Sequence, residues 1–169
     1  MQPITFTTYL EPSNKVGYTH ITVPREIVEK IGGYGTRLMC SLNGHEKMHA
    51  GLMSKGDGRG LIIVNKKKQK IWSINHNEEI IATIELDTSK YGMTMSEELE
   101  ALLDQDVIGL EEFEKITPGQ QRFIIHYVGT VKSSQKRIER AIMLIENLKT
   151  MPTGAFDHRH LMGMPPRED

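Results

Sequence analysis

Short runs of alternating apolar and polar residues dominate the first half of the chain. Residues 4–10, Ile-Thr-Phe-Thr-Thr-Tyr-Leu, are rich in β-branched and aromatic types with apolar positions at a period of two, which predicts a strand. Residues 18–23 have the same character and stop at Pro24. Ile27, Val28 and Ile31 then form a one-sided stripe closed by Gly32-Gly33, so a short helix is expected over 24–31. Proline suits its start, because the N–H it lacks has no helical partner there. Residues 37–42 and 46–53 flank Asn43-Gly44, a dipeptide that tolerates the two positive φ angles of a type I′ turn, and predict a hairpin. A short buried strand is expected at 61–64, a helix over 66–72 capped by Asn65, and a turn at 75–77. In the last run, 79–86, Ile80, Ala82 and Ile84 alternate with Glu79, Ile81 and Thr83.

The period then changes. Ser96 is placed to cap a helix carrying Leu99, Leu102 and Leu103, and Leu110, Phe113 and Ile116 make a second short stripe. Thr117-Pro118-Gly119-Gln120 combines an N-cap, an early proline and a capping-box glutamine. Phe123, Ile124, Tyr127, Val128 and Val131 follow at helical spacing, and a last helix is expected to bury Ile138, Ala141, Ile142, Ile145 and Leu148. Beyond Pro152 there is no periodicity, and Pro165-Pro166 point to a frayed tail. No internal repeat is visible. The expected organisation is therefore a β-barrel domain over 1–90, a helical segment over 91–150 and a flexible tail over 151–169.

Composition narrows the class without naming a function. A chain of 169 residues, 38% hydrophobic and 25% charged, holds one domain or a domain with a helical appendage. Its 21 basic and 22 acidic residues create no global field towards nucleic acid or membrane. The lone Cys40 excludes an internal disulfide and suits a reducing compartment. With neither a signal-peptide pattern at the start nor a run long enough to span a bilayer, the cytoplasm is the expected location.

Three motifs carry possible chemistry. His45-Glu-Lys-Met-His49 matches the H-E-x-x-H pattern of zinc proteases, which needs a helix to bring both histidines to one metal. Here the string follows a turn and enters a strand, where residues four apart are separated by roughly 13 Å, so no metal site is expected. Lys55-Gly-Asp-Gly-Arg-Gly60 resembles a phosphate-cradling loop but lacks the following Lys-Ser/Thr and leads into a strand, so it reads as a turn, with Lys55, Asp57 and Arg59 as weak ligand contacts. The third is a pair of charge clusters. Lys66, Lys67, Lys68 and Lys70 form a basic segment, which Lys55 and Arg59 could join at one barrel end. Glu97, Glu98, Glu100, Asp104, Asp106, Glu111, Glu112 and Glu114 form an acidic one. They are either two solvated faces or a patch for an anionic partner. Aromatics are 6% of residues, too few for a base-stacking platform.

Residues 51–66, Gly-Leu-Met-Ser-Lys-Gly-Asp-Gly-Arg-Gly-Leu-Ile-Ile-Val-Asn-Lys, preceded by Leu42-Asn43-Gly44, resemble a bacterial β-barrel family of unknown function. The second half is similar to the YdeI or OmpD-associated, bacteriocin-protection family at Leu103, Phe113-Glu114, Thr117-Pro118, Gln121-Arg122, Lys132, Arg137, Arg140 and Ala141. It departs from that family's usual Glu-Thr-Arg, which is Gln135-Lys136-Arg137 here, and from its Ala-Lys, which is Val131-Lys132. Together the likenesses cover about residues 4–148. They imply a small bacterial cytoplasmic protein, linked in some members to surviving cationic peptides or bacteriocins, and they make Lys132, Arg137 and Arg140 further candidate contacts. A second likeness, over Thr19–Gly32, is to the strand–Pro–short helix–Gly signature of AbrB/MazE-type DNA-binding barrels.

The expected fold is α+β: a small β-barrel of double-split, AbrB-like type, with a C-terminal helical segment on or beside it. The expected function is a non-enzymatic binding module in a stress or antimicrobial-peptide resistance role, taking an unknown peptide or anionic ligand. A nucleic-acid-binding barrel is the alternative, and an enzyme built on the glycine loop the last choice. No catalytic residue, cofactor or metal is expected, and nothing in the sequence sets the oligomeric state.

Overall fold

Alternation across strands decides which residues of the first half meet. In the computed structural model, which describes residues 2–13, 17–152 and 156–165, seven strands form: β1 (Ile4–Pro12), β2 (Thr19–Val23), β3 (Arg37–Leu42), β4 (Met48–Gly51), β5 (Met53–Gly56), β6 (Arg59–Ile63) and β7 (Glu79–Leu86). Two short helices, α1 (Arg25–Lys30) and α2 (Lys66–Ile71), complete this unit. The strands make one antiparallel sheet in the order β4-β3-β7-β1-β2-β6-β5. Its two edge strands are separated in the chain by Leu52 alone, so the sheet must curl until its edges meet. Leu10, Ile21, Val23, Leu38, Leu42, Ile62, Ile80 and Ile84, all at most 1% exposed, fill the concave side. The fold is α+β, a curled half-barrel sheet followed by helices.

The hairpin turn forms as expected, with positive φ at both Asn43 and Gly44 and a bond from the His45 amide to the Leu42 carbonyl. The strand expected over 46–53 is broken, however. Leu52 turns into the core, its backbone pairing with Gly35 and Thr36, and β5 begins anew.

The unit is also a duplication, which the sequence conceals. β1-β2-α1-β3 recurs 41 or 42 positions later as β4/β5-β6-α2-β7. Core residues correspond pairwise: Thr8 with Ala50, Leu10 with Leu52, Ile21 with Ile62, Val23 with Val64, Ile31 with Trp72, Leu38 with Ile80, and Cys40 with Ala82. The helix exits match bond for bond: Gly33 donates to the Val28 carbonyl and Ile74 to that of Gln69, both at 3.0 Å. Gly32 and Ser73, the corresponding exit residues, both have positive φ. β2 pairs antiparallel with its counterpart β6, and β3 with β7, as two copies about a two-fold axis would. Few of these pairs are identical residues, and the equivalence lies in burial and backbone conformation.

The chain divides into units Met1–Thr88 and Ser89–Asp169. The second holds α3 (Glu97–Gln105), α4 (Val107–Lys115), α5 (Pro118–Gly129), α6 (Ser134–Lys149) and α7 (His158–Leu161). Side chains of Ser96, Asp106, Thr117, Ser133 and Asp157 cap them, and Thr117 and Gln120 form the expected capping box. Leu99, Leu103, Phe113, Ile124, Ile125, Val128, Ala141, Leu144, Ile145, Leu148 and Leu161 are their core. Two expectations fail here. Ile138 and Ile142 are 39% and 46% exposed, because the buried stripe of α6 runs through 141, 144, 145 and 148 and is rotated off them. The segment after residue 150, expected to fray, carries α7, whose Leu161 is fully buried. Pro166 lies outside the described residues.

Candidate functional site

The expected ligand residues of the glycine loop are committed to one another. Asp57 and Gly58, both at positive φ, form the tip of the β5–β6 hairpin. The Arg59 guanidinium grips the Asp57 carboxylate at 2.7–3.1 Å, which holds that carboxyl below its usual range, and Arg25 donates to the Asp57 carbonyl. Lys55 donates to Glu11 at 2.6 Å and to Thr22 at 2.5 Å. Asp57 and Arg59 sit at the start of β6, and α2 follows its end. Roughly 13 Å of strand separates Arg59 from α2, and the Lys55 ammonium is held at Thr22, beside Leu61 in the middle of β6, so the basic residues do not converge at one end.

Lys132, Arg137 and Arg140 belong to the helical unit. Arg137 makes a two-pronged pair with Glu98 at 2.8 Å and also donates to the Val131 and Lys132 carbonyls, tying α3 to the start of α6. Bonds from Arg137 and Ser134 pull the Glu98 carboxyl down to about 2. Arg140 lies 4.2 Å over the Tyr127 ring and donates to the Tyr127 carbonyl and the Thr130 hydroxyl, closing the end of α5. Lys132 is exposed. Within the acidic cluster, Asp106 pairs with Lys149, Glu112 with Lys115, and Glu114 with Lys90.

Helix α2 is open to solvent. Asn65 accepts from the Lys68 amide and starts the helix, which buries no residue. Lys66, Gln69 and Lys70, with Ser73, Ile74, Asn75 and His76, surround an open cleft of about 510 Å³. Lys66 and Lys70 are four apart and share a helix face. Lys68 turns away, lying 4.6 Å over the Trp72 ring and 3.3 Å from Glu46. Gln69 donates to the Val64 carbonyl, and Glu78 lies behind the cleft with its carboxylate on Asn75. Lys66 and Lys70 make the cleft cationic, while about half of the wall it presents is apolar.

The H-E-x-x-H string follows the turn and runs into β4 at Met48. Its histidines have different partners: His45 stacks on Trp72 at 5.5 Å, and His49 bonds the buried Asp87 carboxylate at 2.8 Å. No three of His, Cys, Asp and Glu are grouped to hold a metal among the described residues. Cys40 is buried, its thiol pushed up to about 12, as suits a small core residue.

His20, not singled out by sequence, is 5% exposed, and neither ring nitrogen has a hydrogen-bond partner. Tyr18 lies edge-on to it, Glu11 is 3.9 Å from its Nε2, and Lys55 is held between Glu11 and Thr22. Burial first, then the Lys55 charge, push its pKa below the ordinary 6.5, against the pull of Glu11. The unfolded chain therefore takes up this proton first as pH falls. The stability tied to neutral His20 is present above 6.5 and is lost as pH drops below it. Urea titrations at descending pH should show this loss, and His20→Phe should flatten it. An unchanged slope in the variant would assign it elsewhere. Glu11, lowered from 4.5, acts in a separate window below that value.

Residues 92–150 match a family model described as Bacteriocin-protection, YdeI or OmpD-Associated. The helical unit is thus similar to that family, and Arg137 and Arg140 fall inside the match as helix-joining residues. No curated protein matches the chain. No helix among the described residues is long and apolar enough to cross a membrane.

Proposed function

We propose that this chain is a non-enzymatic cytoplasmic binding protein in the response to bacteriocin or antimicrobial-peptide stress, with its ligand taken by the β unit. The match of residues 92–150 to the bacteriocin-protection family carries the reading. The geometry supports it, since the charged side chains at the hairpin tip and the helix junctions are spent on holding the fold, while a cleft stands open at α2. A thermal-shift panel of small anions, cationic peptides, nucleotides and metals tests it. One ligand class should raise the melting temperature and be recovered unchanged by mass spectrometry. Conversion of the stabilising ligand would make the protein an enzyme.

A nucleic-acid-binding barrel is the second reading, favoured by the lysines of α2. Binding through about four phosphate contacts would give a log–log salt slope near about −3.6 on duplex DNA. We expect no saturation at submicromolar protein in physiological salt. Lys68 is already paired, and Lys55 and Arg59 are internally bonded to Glu11 and Asp57. A saturating mobility shift, flattened in slope by replacing Lys66, Lys67 and Lys68 with alanine, would reverse the order of the two readings.

A further inference from the structure

The duplicated halves of the β unit act as each other's control. Helix α1 buries Ile27 and Val28 against the core and balances Glu26 and Glu29 with Arg25 and Lys30. At the corresponding positions of α2 stand Lys68 and Gln69, and this helix has four lysines, no acid and no buried residue. One end of the sheet is closed by an aliphatic helix. At the other, Trp72 and Ile74 fill the core from the turn behind the helix, and α2 stands off as the wall of the cleft. Forgoing that burial and crowding four like charges into six residues both weaken the fold. Departures of this kind, at one of two equivalent places, mark a surface kept for a ligand.

We propose that the α2 cleft binds a compact multivalent anion of the phosphate or polycarboxylate class, held between the ammonium groups of Lys66 and Lys70 with the Ser73 hydroxyl beside them. The proposal rests on the reading of the chain as a binding protein. Compactness follows from the charge layout. Two lysines face the cleft, Lys68 is held by Glu46 and Trp72, and the cations along β6, Lys55 and Arg59, are closed on Glu11 and Asp57. Two ammonium groups on one helix face match two anionic groups a few ångströms apart, not an extended backbone.

Pyrophosphate and citrate, titrated into the full chain by calorimetry and thermal shift, serve as probes. Each should bind once per chain and raise the melting temperature. Lys70→Glu should weaken binding by about tenfold or more, the scale of one charge-assisted hydrogen bond. Lys30→Glu makes the same change of net charge on the sibling helix and should leave affinity unchanged. Equal weakening by both variants would reduce the effect to long-range attraction and overturn the site, as would failure of both probes at millimolar concentration. Stabilisation by a cationic peptide alone would overturn this proposal and leave the binding-protein reading standing. Release of orthophosphate from pyrophosphate, lost in Lys70→Glu, would uphold the site and overturn the non-enzymatic reading.

Discussion

Truncation of Ile145 to alanine is expected to destabilise the helical unit by about 2–5 kcal/mol, while the same change at Ile142, one turn away, should stay within about 1 kcal/mol of the parent. Both are isoleucines on α6, and hydropathy alone ranks them equally. Ile145 is fully buried, and α4 crosses so close to it that a Cβ at Gly109 would lie 2.5 Å from its Cγ2. Removing its side chain opens a cavity at a helix crossing that packs without slack. Ile142 is 46% exposed and leaves no cavity when shortened. Urea unfolding followed by far-UV circular dichroism, which the helices dominate, distinguishes the two. Equal shifts would place the buried face of α6 elsewhere.

That rotation shows where the sequence could be read and where it could not. The apolar residues 138, 141, 142, 145 and 148 form a broad arc, and its centre depends on which helices pack against α6. Leu144 and the covering α4 and α5 move the buried stripe to 141–144–145–148. The pairing of Glu98 was hidden for a similar reason. In sequence it is one of a run of acids, and only the approach of α3 to α6 gives it Arg137 and Ser134 as partners. Local signals were dependable, because their cause lies within a few residues: the Asn43-Gly44 turn, the capping box at Thr117, the cap at Asn65, and the alternation in β7. The duplication stayed hidden because its two copies share burial and backbone conformation more than residue types, as Ile31 against Trp72 and Gly32 against Ser73 illustrate. The basic segment was visible as a charge run. That it walls a cleft, whereas α1 closes the core, follows only from setting the two helices side by side.

The duplication carries the second large effect. Leu10→Ala and Leu52→Ala should each cost about 2–5 kcal/mol and agree within about 1 kcal/mol of each other. Taken alone the two positions look unlike. Leu10 lies within the long strand β1, whereas Leu52 sits in the one-residue break between β4 and β5 and would pass for a loop residue of small consequence. As structural equivalents they do the same work: each is 1% exposed, and each passes its strand from one neighbour to the next, β1 from β7 to β2 and the β4–β5 run from β3 to β6. Leu52 also covers Gly60, where a Cβ would come within 2.6 Å of its Cδ1, so the backbone of β6 is packed directly beneath it. The single tryptophan, Trp72, lies in this core, and its fluorescence follows the β unit apart from the helices. Urea titration of both variants by that signal decides the matter. A full loss at Leu10 with a small one at Leu52 would mean that the two halves resemble each other in outline while only the first supplies the core.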